Sequence, residues 1–173
     1  QKKKEWELRE KSQKDSLTGL LNNSTIKQQI GARLQSLKRG QTGYLVVQDV
    51  DSFKKINDTN GHLFGDAVLC SFADELSNIF PEALKGRIGG DEFILFLKGI
   101  PPFAVEKKAE ELLQMFRQLF RQDKQALEIT CSVGIARYPE DGTDYQTLYR
   151  CADQALYRAT VSYTHLTLPT IKA

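Results

Sequence analysis

Four carboxylates in two short stretches are the residues of this chain whose types and spacing could do chemistry. Asp49 and Asp51 directly follow an apolar run, and Asp91 and Glu92 directly follow the glycine pair Gly89–Gly90. An acid at the end of a buried strand is costly unless a positive charge lies beside it. The spacing therefore favours a metal and nucleotide site, with an ordinary solvent-exposed Gly-Gly-Asp turn as the alternative.

The oxygen atoms at these two stretches suit Mg²⁺, which usually takes one or two carboxylates and fills its other positions with water and phosphate. Asp49, Asp91 and the Val50 carbonyl have the required type and number. Two such ions about 3.5–4 Å apart could stabilise the attacking and leaving oxygens of a displacement at phosphorus. A calcium loop starting at Asp49 is excluded, because Phe53 and Lys54 stand where it needs an acid or amide and then Gly. The chain also lacks a GxxxxGK[ST] phosphate loop and a GxGxxG that opens a helix after a strand.

Polar residues after the first acidic stretch could hold a nucleotide. Lys54 and Lys55 can neutralise phosphate charge. Asn57 and Asp66 carry an amide and a carboxylate, which can bond the guanine edge with its two donors and one acceptor. The absence of side chains at Gly89–Gly90 would let a phosphate or ribose approach the backbone closely. A solvated polar loop is the alternative for the four polar residues.

Apolar periodicity predicts the elements that must position these residues. Helical spacing predicts helices over about 22–37, 53–62, 63–80, the segment after Pro101–Pro102, and 144–159. Strands are predicted over 44–50 and 127–138, and as a hairpin around Gly89–Gly90 whose glycines take positive φ. The order β-α-β-β-α-β predicts an α+β, ferredoxin-like fold, an antiparallel-containing sheet with helices on one face. This topology allows Asp49 and Asp91 to be neighbours in space.

Composition bounds the class of protein. The 173 residues, 40% hydrophobic and 27% charged, suit one soluble domain. The net charge of +2 comes from nearly balanced acids and bases, which gives no case for a nucleic-acid or anionic-membrane partner. No apolar run approaches the ~20 residues that span a bilayer, although a membrane segment upstream of residue 1 stays open. Three scattered cysteines without a CxxC argue against structural zinc and a disulfide framework.

The two ends differ from the middle of the chain. Residues 1–14 are strongly charged and have only Trp6 and Leu8 as apolar residues, which favours an exposed linker helix to an upstream region, with a coiled coil as the alternative. Residues 161–173 contain no acid and are rich in Thr and Leu, which predicts a non-native tail. The domain itself is expected over 15–160.

Several short motifs, in this order, resemble the GGDEF family of bacterial diguanylate cyclases. They are Asp15–Leu20 (DSLTGL), Asp49–Lys54 (DVDSFK), Asn57–Asp58, Gly61–His62, Gly65–Asp66, Arg87–Phe93 (RIGGDEF), Ser132–Gly134 and Ala152–Tyr157 (ADQALY). The resemblance covers roughly residues 15–159. It implies a palm-like ferredoxin core of the kind found in nucleotidyl cyclases and polymerases.

The resemblance also implies an activity, the condensation of two GTP into cyclic di-GMP with release of pyrophosphate, in bacterial second-messenger signalling. Asp49 and Asp91, with the Val50 carbonyl, would hold two Mg²⁺ or Mn²⁺ ions at each GTP site. Glu92 would position or deprotonate the 3′-hydroxyl. The residues implied to bind substrate are Phe53 and Lys54 at the phosphates, Asn57 and Asp66 at guanine, and Gly89 and Gly90 beside them.

The same resemblance implies partners. Each domain would hold one GTP, so a product with two-fold symmetry requires a homodimer. An upstream sensory domain is expected. The expected location is the cytoplasm, either as a cytoplasmic protein or as the cytoplasmic domain of a membrane-anchored protein. A GTP-binding signalling module without turnover is the main alternative; its mark would be a broken Gly-Gly-acid-Glu-Phe run, and this run is whole. A polymerase-like palm acting on nucleic acid is disfavoured by the lack of a basic surface or an aromatic stacking pattern.

Two segments depart from the family pattern. Many members carry Arg-x-x-Asp shortly before the glycine pair, where cyclic di-GMP binds as an inhibitor, but this chain has Phe80–Ala83 (FPEA). After Tyr157 the family continues with Ala-Lys and then Gly-Arg-Asn, whereas here Ala159–Thr160 leads into the tail. The comparison implies that product inhibition is lost and that the triphosphate is held less firmly.

Overall fold

The computed structural model describes residues 1–120, 128–162 and 166–167. The helices are α1 (Lys2–Gln13), α2 (Asn23–Ser36), α3 (Phe53–Asn60), α4 (His62–Ile79), α5 (Pro102–Leu119) and α6 (Tyr145–Ser162). The strands are β1 (Gly43–Val50), β2 (Leu84–Arg87), β3 (Glu92–Lys98), β4 (Cys131–Tyr138) and β5 (Leu166–Thr167). Each predicted element is present with small shifts at its ends; residue 127, where the last predicted strand begins, lies outside the described residues.

The strands form one sheet in the order β2-β3-β1-β4-β5. The pairs β2–β3, β3–β1 and β1–β4 are antiparallel, while β5 runs parallel to β4. Because β3 lies between β1 and β2, the first four strands have the split βαβ order of the ferredoxin-like fold. The predicted α+β class is confirmed.

Helices cover the sheet on both faces, so the prediction that they lie on one face is wrong. Tyr44, Val46 and Val50 of β1 belong to a core with α4 and α5. Leu45 and Val47, which point the other way, belong to a second core with α2 and α6. A strand that is apolar on both faces does not show by its own pattern where the covering helices come from.

The hairpin between β2 and β3 is present, but neither Gly89 nor Gly90 has a positive φ. β2 ends at Arg87 and β3 begins at Glu92, so the connection is longer than the two-residue turn that demands left-handed glycines. The Ile88 amide donates to the Glu92 carbonyl over 2.9 Å and closes the loop. The prediction of positive φ was wrong because it assumed a tighter turn.

The two ends of the chain add to this frame. α1 is the predicted exposed helix, with Trp6 and Leu8 60% and 64% exposed. α6 continues to Ser162, and Leu166–Thr167 pair with Val133–Gly134 of β4, so part of the tail that the sequence analysis set aside supplies an edge strand. The rest of it, 163–165 and 168–173, lies outside the described residues, and its non-native origin stays a prediction. Throughout the described ranges, every helix is too short or too polar to cross a membrane.

Candidate active site

Three of the predicted acids meet where β1 ends and β3 begins. The register places Asp49 directly opposite Glu92, and Asp91 precedes Glu92 in the loop. Burial, and then the negative charges of Asp91, Asp51, Glu92 and Asp153, raises the pKa of Asp49 to about 7. The prediction that Asp49 and Asp91 are spatial neighbours is therefore confirmed, and their site has an excess of negative charge.

The other two acids are perturbed in the same direction. Burial raises the pKa of Asp91, against the opposing effect of a backbone hydrogen bond and of the Arg87 guanidinium. Burial likewise raises the pKa of Glu92, and a hydrogen bond from Tyr149 opposes that shift. Like charges held together in a partly buried site favour a bound cation, which would lower all three pKa values.

The residues present fit a magnesium ion that arrives with a nucleotide. Oδ1 of Asp49 is buried and has no hydrogen-bond partner among the described residues. Across the described ranges, no three His, Cys, Asp or Glu side chains are arranged to hold a metal by themselves. Two carboxylates and the Val50 carbonyl would leave the remaining positions to water and phosphate, as is usual for Mg²⁺ and unlike an all-protein calcium cage.

Asp51 has a structural task instead. Its carboxylate accepts hydrogen bonds from Thr130 Oγ1 at 2.7 Å and Ser132 Oγ at 2.6 Å, and its amide donates to the Thr130 carbonyl at 2.8 Å. These contacts fasten the loop after β1 to β4. The sequence could not distinguish this acid from Asp49, because its partners come from a strand far along the chain.

The loop after β1 has an unusual backbone conformation and leaves the start of α3 without a side-chain cap. Ser52 adopts a left-handed conformation, with φ 54° and ψ 38°, and its side chain makes no capping hydrogen bond to α3. A non-glycine residue in this conformation is a strained feature of the kind found at functional sites. The first turn of α3, which includes Phe53 and Lys54, therefore presents backbone amides without a side-chain cap, and helix N-termini of this kind bind phosphate.

Asn57 of α3 packs against the start of α4. Oδ1 of Asn57 is buried with no hydrogen-bond partner among the described residues. A Cβ on Gly65 would clash with that oxygen and would lie 3.3 Å from the Phe53 ring, so only glycine leaves the amide in place. Asp66 follows Gly65 and is exposed. A buried acceptor without a donor costs free energy, which a ligand with N–H groups would recover.

A contact between Arg87 and Asp15 supports the glycine loop. The guanidinium donates to the Gly90 carbonyl from Nε at 2.9 Å and from Nη2 at 2.7 Å, and Nη1 lies 3.2 Å from Asp15 Oδ1. Although burial opposes it, hydrogen bonding from Thr18 and the charge of Arg87 hold the pKa of Asp15 below its usual value. Both residues lie within motifs of the family resemblance, but nothing in the local sequence indicates that they contact each other.

Tyr149 is the other site residue that the sequence did not single out. Its hydroxyl donates to Glu92 Oε1 over 2.6 Å. A pocket of about 540 Å³ opens beside this pair, between α2 and α6, and Lys27, Arg150 and Asp153 contribute to its lining. Nothing in the local pattern of α6 distinguishes this tyrosine from other helix-surface positions.

The two segments that depart from the family pattern lie at the end of α4 and near the end of α6. Phe80 is only 2% exposed, and the ammonium of Lys108 sits 5.8 Å from its ring centroid. The segment around it lines a separate pocket of about 430 Å³. Thr160 is exposed near the end of α6, and its hydroxyl donates to the Leu156 carbonyl over 3.0 Å.

Known proteins are similar to this chain in sequence and in fold. The family model described as "Diguanylate cyclase, GGDEF domain" matches residues 12–163. Diguanylate cyclase DgcP of Pseudomonas aeruginosa is 36% identical over 158 residues, which are 87% of this chain and 23% of that protein. Cyclic di-GMP phosphodiesterase PdeR of Escherichia coli is 37% identical over 146 residues, 84% of this chain and 22% of that protein. The crystal structure of a sensory box/GGDEF family protein from Caulobacter crescentus has a TM-score of 0.75 and 34% identity, covering 87% of this chain and 99% of that one.

The chain thus spans about a fifth of the length of these curated relatives. The matched range takes in the Asp15 turn, both acidic stretches and the segment of α6 that carries Tyr149. Sequence motifs, sheet order and family match agree over nearly the whole chain, which belongs to the GGDEF domain family of diguanylate cyclases.

Proposed function

We propose that this domain condenses two GTP into one cyclic di-GMP and two pyrophosphates. The observation that carries the proposal is the whole Gly89–Phe93 run, whose Asp91 and Glu92 lie beside Asp49 across the β1–β3 pairing. A domain kept only as a scaffold has no need to hold three poorly neutralised carboxylates together.

Asp49, Asp91 and the Val50 carbonyl are the proposed ligands of two Mg²⁺ or Mn²⁺ ions at each GTP site. When bound, such ions stabilise charge on the attacking and leaving oxygens of a phosphoryl transfer. The unpartnered buried Oδ1 of Asp49 supports this assignment. The raised pKa of Asp49, which burial and the neighbouring carboxylates cause, supports it as well.

The nucleotide is proposed to lie across the end of the sheet. The uncapped first turn of α3, with Phe53 and Lys54, would bind the phosphates, and the space beside Gly89–Gly90 would admit them close to the backbone. Asn57 and Asp66 would bind the guanine edge. Glu92 would position the 3′-hydroxyl or accept its proton.

The active species is proposed to be a homodimer, because one site holds one GTP and the product contains two equivalent nucleotides. We place the domain in the cytoplasm, where GTP is available. An upstream sensory region is proposed as the partner that controls dimer formation, and the curated relatives are long enough to contain further regions beside the matched domain.

A second candidate function is a GTP-binding regulatory module without turnover. The relative PdeR favours this candidate. PdeR matches 84% of this chain, yet it is named as a cyclic di-GMP phosphodiesterase and not as a cyclase. The two candidates agree on GTP binding and differ on product.

Incubation with GTP and Mg²⁺, followed by separation and mass spectrometry of the nucleotides, tests the proposal. Cyclic di-GMP should form with the wild-type chain and with Asp74→Asn, which neutralises an exposed acid of α4. Asp91→Asn should lose it while keeping the circular dichroism spectrum of the fold. The rate per domain should fall on dilution, because two domains must meet. GTP binding without product at any protein concentration would reject the cyclase and favour the regulatory module.

A further inference from the structure

We propose that Tyr149 is a positioning residue that holds the Glu92 carboxylate in its working orientation. The inference rests on the proposed cyclase function, since it concerns the group assigned to the 3′-hydroxyl. The Tyr149 hydroxyl donates to Glu92 Oε1 over 2.6 Å, a length typical of a hydrogen bond to a charged acceptor. Within the described residues, the Glu92 side chain has no other hydrogen-bond partner.

The position of Tyr149 is set by packing rather than by its own loop. Its ring stacks on that of Tyr145, one turn earlier on α6, with centroids 5.9 Å apart and planes 18° apart. α6 in turn lies tight on β4, because a Cβ on Gly134 would clash with the backbone of Ala152 and Leu156. The packing of α6 on β4 therefore fixes the position of the Tyr149 ring, and the Tyr149 hydroxyl in turn orients the Glu92 carboxylate.

This contact decides which oxygen of Glu92 faces the substrate. Oε1 is engaged by Tyr149, while Oε2 lies toward Gly89, 3.8 Å from where a Cβ on that residue would be. The terminal torsion of a glutamate is broad and has no strong preference of its own. Without the hydroxyl, the carboxylate would turn among several orientations, of which a fraction would present an oxygen to the glycine loop.

The tyrosine also stays a donor over the working range of pH. Burial, and then its hydrogen bond to Glu92, raises the pKa of Tyr149 well above its usual value. The side chains proposed to bind guanine and phosphate belong to α3 and α4, which join the core on the opposite face of the sheet from α6. Loss of the hydroxyl should therefore affect the chemical step more than GTP binding.

Tyr149→Phe and the matched control Tyr145→Phe test this. Both remove one hydroxyl from α6 and keep the stacked rings, but the Tyr145 hydroxyl has no hydrogen-bond partner among the described residues. In steady-state assays of cyclic di-GMP formation, Tyr149→Phe should lower kcat by about ten- to a hundredfold and leave KM for GTP within about twofold. Tyr145→Phe should change neither by more than about twofold.

A double-mutant cycle with Glu92→Gln shows whether Tyr149 acts through Glu92. Once Glu92→Gln has removed the charged acceptor, adding Tyr149→Phe should cause little further loss of kcat. Three results would overturn the positioning role and leave the cyclase assignment intact. They are a wild-type kcat in Tyr149→Phe, an equal loss of kcat in both tyrosine variants, and fully additive losses in the double-mutant cycle. A wild-type chain that makes no cyclic di-GMP would instead reject the proposed function, and this inference with it.

Discussion

Replacing Asp49 with Asn should raise the free energy of unfolding of the metal-free domain, and the same substitution should abolish its activity. The variant keeps the shape of the side chain and removes a charge that burial and four neighbouring carboxylates oppose. Active sites often store instability of this kind, which the ligand later relieves.

The size of the effect follows from the pKa. A rise from 3.8 to about 7 is roughly three units, which at about 1.4 kcal/mol per unit is ~4 kcal/mol before allowance for solvent. Because Asp49 is partly open to water, screening reduces this to about 2 kcal/mol. In the unfolded chain the group loses its proton near its ordinary pKa, whereas in the folded chain it keeps the proton until about pH 7. The free energy of unfolding of the wild-type domain therefore falls by this amount as the pH rises from about 4 through about 7, and the decrease is complete above that range.

Urea unfolding in the presence of EDTA, followed by circular dichroism, measures this. At about pH 8, Asp49→Asn should be more stable than wild type by about 2 kcal/mol, and at about pH 4 the two should be nearly equal. Asp74→Asn, which neutralises an exposed acid of α4, should follow the wild-type curve at both values. A difference that does not depend on pH, or a variant that is less stable at the higher pH, would refute the reasoning.

Four further predictions concern binding and stability. Because Asn57 and Asp66 match guanine donors that adenine lacks, GTP should bind more tightly than ATP by about 10⁴ in titration calorimetry, and comparable affinities would rule out this pair as the specificity element. Because Phe80–Ala83 has neither an arginine nor an aspartate, cyclic di-GMP should not bind there, and submicromolar binding with the active site filled by a GTP analogue would contradict this. Because Thr160 is exposed, Thr160→Lys should fit without repacking and lower the Kd for GTP in titration calorimetry by about tenfold; an unchanged Kd would show that the lysine does not reach the phosphates. Gln48 is fully buried and neither amide atom has a partner among the described residues, so Gln48→Met should stabilise the fold by about 1–3 kcal/mol in urea unfolding, and a loss of stability would show that the amide is satisfied.

Local sequence determined the elements and the chemistry available to them. Helical spacing located the long helices, and Pro81 and Pro102 marked where one ends and another begins. The carboxylates that follow an apolar run and a glycine pair indicate a cation and a phosphate by their type and spacing alone. These signals act over a few residues, so the chain carries them without tertiary contacts.

The tertiary structure decided which of these groups work together and which do not. Register and helix packing turned Asp51 toward Thr130 and Ser132, away from the role of its neighbour Asp49. The same packing brought Tyr149 to Glu92. The loop after β2 turned out to need no left-handed glycine, and the second layer of helices closed the other face of the sheet. Each of these outcomes depends on contacts between segments far apart in the chain, and a one-residue change of strand register would send every side chain of that strand to the opposite face.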